Sequence, residues 1–170
     1  INFSKPRKIR VYNNDFSAYV TYTVTVNVHK ELPDEFNWHT MVQGNAQLAA
    51  LSDMKLLAFA DYIYVFGKTA DGMKIYKTSM TEGTAWQEVT PNQTFAADDY
   101  KNAVVMDGNI IILSGGKVYL TADAANWVQV GEDNSQIKQL VGASSKYLYA
   151  YTTSGGIAVS ENRGATWTAQ

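Results

Sequence analysis

Short apolar runs separated by glycine and small polar residues recur along most of this chain, with a period of about 40 residues. Trp86, Trp127 and Trp167 mark the period, since they stand 41 and 40 positions apart. Each tryptophan closes a group of four runs, and the breaks between runs hold Gly, Asp, Asn or Ser, which are typical of hairpin turns. The pattern therefore predicts repeated antiparallel sheets of four strands.

Each period predicts one blade of a β-propeller, because a repeat of about 40 residues with four strands is the signature of that fold. The predicted blades cover about 54–90, 95–130 and 137–169. Three blades do not close a ring, since propellers have roughly 4 to 8 of them. We therefore expect an all-β chain with a partial propeller, which is a piece of a longer protein.

A polar turn precedes each tryptophan, and its residues recur from copy to copy. In the third copy, SENRGATW, Asn162 is placed to hydrogen-bond the backbone of its own turn, and Gly164 suits a positive φ. We expect each Trp to cover its hairpin and to pack between blades. The predicted structural residues are Ser79, Gly83, Trp86, Thr121, Asp123, Trp127, Ser160, Asn162, Gly164 and Trp167.

This turn resembles the Asp-box, the S-x-D-x-G-x-T-W hairpin of sialidase-like (BNR-repeat) β-propellers. Asn162 replaces the usual Asp, Thr81 takes that position in the first copy, and the second copy keeps Asp123 but lacks the Gly. The resemblance implies that the turn joins the third and fourth strands of a blade, away from the face where ligands bind. It implies an architecture and not an activity.

Residues 1–31 follow a different pattern. The runs 8–12 and 18–30, separated by a polar turn, predict two strands, of which the second alternates Tyr and Val with Thr and Asn. We interpret them as the last hairpin of an immunoglobulin-like β-sandwich. Such a domain before an Asp-box propeller resembles cell-envelope proteins of Bacteroidetes whose function is undefined.

The segment between this hairpin and the first blade predicts a linker and one extra strand. Pro33 favours an extended backbone at residues 32–35, the predicted linker. Trp38 has no turn motif ahead of it, so residues 36–42 are predicted to be the closing strand of another blade, in a propeller domain of residues 36–170. The stretch 46–60 is rich in helix formers and predicts a short helix followed by a strand.

The overall composition excludes some classes of protein. The net charge is −2, and the basic cluster Lys5, Arg7, Lys8 and Arg10 is too small to predict a nucleic-acid partner. The absence of Cys excludes disulfides and thiolate catalysis. No apolar run is long enough to span a membrane as a helix, and no signal peptide is visible, although the chain begins with Ile1.

Catalytic and metal-ligating patterns are missing from the sequence. The three arginines, Arg7, Arg10 and Arg163, do not supply the arginine cluster that a sialidase mechanism needs. His29 and His39 lack the spacing of metal ligands, so no metal and no cofactor is predicted. We predict no catalytic residue in this chain.

The candidates for ligand binding are Asp98, Asp99 and Tyr100, in the long connection between two blades. Solvated loop residues are the alternative interpretation. The two carboxylates are adjacent and would point in opposite directions on an extended segment, which argues against a catalytic pair. Tyrosines also recur two positions apart in second strands, and predict either packing between blades or a platform for sugar stacking: Tyr62, Tyr64, Tyr147 and Tyr149.

Two hypotheses for the function follow. The first is a non-catalytic propeller, expected in the periplasm or at the cell surface as a lipoprotein, that presents loops to a glycan or protein partner. The second is a glycoside hydrolase whose active residues lie in blades absent from this chain. In either case the open blade faces are expected to pair with further blades or to self-associate.

Overall fold

A computed structural model describes residues 5–26 and 44–170. Contacts between Cα atoms divide the chain into two units, Ile1–His39 and Thr40–Gln170. The predicted linker, the predicted closing strand 36–42 and both histidines lie outside the described residues.

The first unit contains an antiparallel hairpin of β1 (Arg7–Tyr12) and β2 (Tyr19–Val24). Its turn is closed by side chains, because Asn13 accepts a hydrogen bond from the Ala18 amide at 3.0 Å. The Asp15 carboxylate accepts from the amide and hydroxyl of Ser17, which lowers its pKa. In the second strand, Val24 pairs with Arg7, the first residue of β1, and residues 27–30 of the predicted run 18–30 lie outside the described residues.

Blade 1 opens the second unit. A single helical turn, α1 (Ala46–Ala49), is capped by Asn45, whose side chain accepts from the Leu48 amide at 2.9 Å. A strand follows it, so the stretch 46–60 contains both the helix and the strand that its composition predicts. The antiparallel sheet has the order β3 (Asp53–Phe59), β4 (Tyr62–Thr69), β5 (Gly72–Ser79) and β6 (Gln87–Val89).

Blade 2 repeats this arrangement after a connection that includes a 3-10 turn, Asp99–Asn102. Its first hairpin turns at Asp107 and Gly108, both with positive φ. The sheet again follows chain order, with strands β7 (Val104–Met106), β8 (Asn109–Ser114), β9 (Lys117–Thr121) and β10 (Val128–Val130).

Blade 3 is the third four-stranded antiparallel sheet. Its first strand carries two register shifts against the second strand, one of them between Leu140 and Gly142. The strands are β11 (Ile137–Ala143), β12 (Leu148–Thr152), β13 (Ile157–Ser160) and β14 (Thr168–Ala169).

The cores of the second unit lie between successive blades, because alternate residues of each central strand face opposite neighbours. Tyr64 and Phe66 of blade 1 pack with Ile110, Ile112 and Trp127 of blade 2. The intervening residues of blade 2 form a second core with blade 3, in which the contributing side chains are Ile111, Leu113, Val118, Leu148, Ala150 and Ala158. Both faces of blade 2 are thus buried.

The blade 1 face that points away from blade 2 is covered from within the chain. Leu48 and Leu51, from α1 and the residue after its cap, pack with Val65, Tyr76 and Trp86. Gly67 leaves room for this contact, since a Cβ there would lie 2.6 Å from Cδ1 of Leu51.

The sheet topology confirms the all-β prediction. Three open sheets stacked face to face fit a partial propeller.

Candidate functional site

In the turn of blade 2, the predicted Asp-box residue Asp123 accepts hydrogen bonds from the backbone and side chains of its own turn. Oδ1 of Asp123 accepts hydrogen bonds from the amides of Ala125 at 2.9 Å and Asn126 at 2.7 Å, and from the Thr121 hydroxyl at 2.9 Å. Burial would raise the pKa of Asp123, but these bonds and one from the Asn126 side chain lower it to about 2. No glycine is present, and Ala124 takes the positive φ of 62° instead.

Trp127 fastens this turn to blade 1. Its side chain is 2% exposed, and its indole Nε1–H donates to the Ala124 carbonyl at 2.7 Å. Asn92, in the connection that leaves blade 1, accepts from the Trp127 amide at 2.8 Å and donates to the Trp127 carbonyl at 3.3 Å. The Asn92 amide also donates to the Ala125 carbonyl at 2.8 Å. The turn is therefore held by both blades.

The turn of blade 3 uses Asn162 in the place of Asp123. Its Oδ1 accepts from the Ser160 hydroxyl and from the Thr166 amide, both at 2.9 Å. Gly164 has a φ of 94°, and its amide donates to Oγ of Ser160 at 2.8 Å. Arg163 forms an ion pair with Asp107, in the first hairpin of blade 2.

The turn of blade 1 differs from the other two. The hydroxyls of Ser79 and Thr81 are 2.8 Å apart, and Gly83 has a positive φ of 64°. The buried hydroxyl that corresponds to Thr121 and Ser160 is Thr78, one position before the expected Ser79. Within the described residues, Oγ1 of Thr78 has no hydrogen-bond partner.

The other two tryptophans are less buried than Trp127. Trp167 is half-buried against the core between blades 2 and 3, and Trp86 is half-buried beside Leu51. Their indole nitrogens have no hydrogen-bond partner among residues 5–26 and 44–170. Each of the three tryptophans lies on the same side of its blade, facing the preceding position in the stack.

Five charged side chains meet at the end of blade 1 opposite the turn that precedes Trp86; we call them the charged cluster, and we call the polar turns before Trp86, Trp127 and Trp167 the box turns. Asp53 and Lys68 are partners in the β3–β4 register at this end, whereas Ser79 pairs with Tyr62 at the other. Lys101 and Asp98 reach the cluster from the 3-10 turn and its cap. The members are Asp53, Lys55, Lys68, Asp98 and Lys101.

Asp98 is the centre of the charged cluster. It lies 2.8 Å from Nζ of Lys68 and 2.9 Å from Nζ of Lys101, and Lys101 is also 3.6 Å from Asp53. The two lysines lower the pKa of Asp98, which in turn raises the pKa of Lys101. Nζ of Lys55 donates a hydrogen bond to the Lys101 carbonyl at 3.0 Å. Burial lowers the pKa of Lys55.

Asp99 and Tyr100 are not members of the charged cluster. Asp99 accepts from the Ala96 amide at 2.7 Å and holds the turn, and the backbone here is a 3-10 helix, not the extended segment we expected. Tyr100 is 1% exposed, and its ring lies in the core between blades 1 and 2. Its hydroxyl makes no well-formed hydrogen bond within the described ranges, yet it lies near enough to Asp53 to lower the pKa of that carboxyl.

The charged cluster can hydrogen-bond a ligand but is poorly suited to acid catalysis. The pKa values of both Asp53 and Asp98 are lowered, so both carboxyls are ionised near neutral pH. A glycosidase needs one carboxyl that is still protonated. Ionised carboxylates and ammonium groups in a fixed array instead accept and donate hydrogen bonds.

Sequence reasoning missed the partners of Asp98. Lys68 lies 30 positions before it, and the link depends on how the connection between blades folds back over β3 and β4. The available signal was weak: Asp53 directly precedes the apolar run 54–60 and Lys68 directly follows the run 61–67, which places them opposite each other if the two runs form a hairpin.

The predicted tyrosine pairs have different environments. Tyr64 is 2% exposed in the core between blades, and the Tyr62 ring lies edge-on to it, with ring centroids 6.2 Å apart. Tyr147 and Tyr149 have centroids 6.3 Å apart and line a groove of about 390 Å³ on the side of blade 3 away from blade 2.

The described residues contain no helix with the length and apolar character to cross a membrane. A family model, the DUF6242 beta propeller domain, matches residues 32–170. No curated protein matches the chain. The match covers most of the sequence, and its name agrees with the three stacked four-stranded sheets. The chain therefore belongs to the DUF6242 beta propeller domain family.

Proposed function

We propose that this chain is a non-catalytic, extracytoplasmic β-propeller segment that binds a glycan or protein partner through the connections at one end of its blades. The observation that supports this role is the charged cluster. It gathers residues of β3, β4 and the connection to blade 2 at the end opposite the box turn. The opposite ends of the blades are occupied by the box turns.

The accessible charges of the cluster suit a hydroxyl-rich ligand. The Asp98 and Lys101 side chains are 53% and 52% exposed, so both are open to solvent while they remain fixed by ion pairs. Fixed groups lose little conformational freedom on binding, which favours affinity. The same charged groups would also fit a polar protein surface. A glycan array tests the first of these two partners.

The experiment is a glycan array probed with the whole chain, followed by titration of any glycan that binds. Lys101→Gln and Lys68→Gln should each weaken binding about tenfold or more, because each removes one charged contact. Lys74→Gln is the matched control, since Lys74 is an exposed lysine of the same blade whose partner is Glu88, 2.6 Å away and outside the cluster.

Two results would contradict the proposal. One is glycan binding that Lys74→Gln weakens as much as Lys101→Gln does. The other is turnover of a chromogenic glycoside by the chain, because a non-catalytic protein releases no product. Absence of binding across the array would limit the proposal to a protein partner.

A further inference from the structure

Lys55, in β3, is the lysine of the charged cluster that has no carboxylate partner within the described residues. Lys68 lies 2.8 Å from Asp98, and Lys101 lies 2.9 Å from the same carboxylate. Nζ of Lys55 instead donates to a backbone oxygen, the Lys101 carbonyl, at 3.0 Å. Because an ammonium group has three N–H donors, Lys55 keeps donors that no described acceptor fills.

The Lys55 side chain is held between blade 1 and the connection to blade 2. The alternation of β3 places Lys55 on the same side of the sheet as Leu57 and Phe59, which pack against the core between the two blades. The side chain is half-buried, and its hydrogen bond to the Lys101 carbonyl joins the strand to the 3-10 turn. The ammonium group is therefore fixed in place beside the exposed members of the cluster.

The charge of Lys55 is not compensated in the free protein. Burial lowers the pKa of Lys55, and no carboxylate in the described part of the chain offsets this effect. Lys101 is the contrasting case, because the hydrogen bond and the charge of Asp98 raise its pKa. An opposite charge close to an ammonium group favours its ionised form. An anionic group on a ligand would supply Lys55 with the charge that Asp98 gives to Lys101.

The carboxylates of the cluster limit which anions it can accept. The cluster holds three lysines and two aspartates, so it has an excess of one positive charge. Asp53 and Asp98 are ionised near neutral pH, since the pKa of each is lowered, and they would repel a densely charged polyanion. The same carboxylates accept hydrogen bonds from hydroxyl groups. A ligand with one anionic group beside neutral hydroxyls fits both conditions, and an acidic sugar has both.

We propose that the charged cluster recognises an acidic glycan, in which the carboxylate or sulfate group of one sugar pairs with the Lys55 ammonium. Hydroxyls of the same glycan hydrogen-bond to Asp98 and Lys101. This inference rests on the proposed function, to which it adds the chemical class of the ligand and one further binding residue.

A glycan array that presents carboxylated, sulfated and neutral glycans of shared backbone tests the proposal with the whole chain. The wild-type chain should bind one of the acidic classes about tenfold or more tightly than its neutral counterpart, and the array shows which acidic group it prefers. Lys55→Gln should remove this preference, because it removes a charge-assisted contact. Lys55→Arg keeps the positive charge and should keep the preference.

Lys77→Gln is the matched control. Lys77 is also a half-buried lysine of blade 1 without a carboxylate partner among the described residues, and its ammonium lies 4.8 Å from the centre of the Tyr62 ring. Tyr62 pairs with Ser79, at the end of the blade away from the cluster. Lys77→Gln removes the same charge as Lys55→Gln and should leave the affinity for acidic glycans unchanged. Far-UV circular dichroism shows whether each variant is folded.

Three outcomes would overturn the inference. If neutral glycans bind as tightly as acidic ones and Lys101→Gln weakens them, the inference is wrong and the proposed function stands. If Lys55→Gln and Lys77→Gln weaken acidic glycans equally, general attraction between charges explains the preference. If no glycan binds, the inference is wrong and only a protein partner remains for the proposed function. The preference of the wild-type chain is measured without any variant, so the first and third outcomes do not depend on the folding of Lys55→Gln.

Discussion

Gly164, in the turn of blade 3, lies directly against Val118 of blade 2. A Cβ atom on Gly164 would stand 2.7 Å from Cγ1 of Val118, closer than real Cβ contacts come. Gly164 also has a φ of 94°, in the region that favours glycine. Two separate requirements, backbone conformation and space, thus meet at one residue.

Gly164→Ala should therefore destabilise the chain more than a substitution that meets only the first requirement. Gly155→Ala is the control, because Gly155 has a similar φ of 88° and no atom within 4 Å of a Cβ. We expect Gly164→Ala to cost about 1–3 kcal/mol more, from overpacking against Val118. Urea denaturation measures the difference, and equal losses for the two variants would show that the contact with Val118 is unimportant.

Trp127→Ala should be the most destabilising of the three tryptophan substitutions. Trp127 is 2% exposed and its indole is hydrogen-bonded, so we expect a loss of about 3–5 kcal/mol in the free energy of unfolding. Trp86 and Trp167 are half-buried with unpaired indole nitrogens, and should lose less. Urea denaturation of the three variants measures these losses. If the three lose similar free energies of unfolding, the burial of each tryptophan does not determine its contribution to stability.

Asp123 should make the stability of the chain depend on pH in acid. Its folded pKa of about 2 lies below the ordinary 3.8, so its stabilisation is fully present above about pH 4 and is lost as the pH falls towards 2. The shift corresponds to about 2 kcal/mol. Asp123→Asn, which imitates Asn162, should remove this part of the pH dependence. If the wild type and Asp123→Asn lose the same free energy of unfolding between pH 4 and pH 2, Asp123 does not titrate as we expect.

Tyr100→Phe should raise the pKa of Asp53 and slightly lower the stability of the chain at neutral pH, because a group that lowers a folded carboxyl pKa also stabilises the fold above that pKa. The Tyr100 hydroxyl is the largest cause of the lowered Asp53 pKa, but it forms no well-formed hydrogen bond in the described structure. The loss should be small, since the hydroxyl makes no well-formed hydrogen bond. Carboxyl NMR titration measures both aspartates, and the pKa of Asp98, set by Lys68 and Lys101, serves as the internal control. If the pKa of Asp53 is the same in Tyr100→Phe as in the wild type, the Tyr100 hydroxyl does not influence that carboxyl.

The repeat predicted most of the second unit because its signals are local. Gly, Asn and Asp mark the turns, and short continuous apolar runs mark buried strands such as β4 and β8. The first box turn was harder to interpret. Ser79 matches the motif in sequence, but the strand alternation in the structure turns Thr78 inwards, and alignment on Trp86 does not reveal a shift of one residue.

The charged cluster could not be predicted, since it depends on packing between distant segments. Asp98 was a candidate on its own, and its two lysine partners appear only when the connection folds over blade 1. Tyr100 illustrates the opposite case. Its place in the long connection between two blades suggested a ligand contact, but the next blade buries its ring.

Asn92 bonds to the backbone of Trp127 in both directions, which has a consequence for how the chain opens. The blade 2 turn lacks one of its backbone partners until the connection from blade 1 is in place. Local fraying of that turn alone should therefore be rare, and blades 1 and 2 should open as one cooperative unit. In hydrogen exchange, the Trp127 amide should report on the opening of both blades.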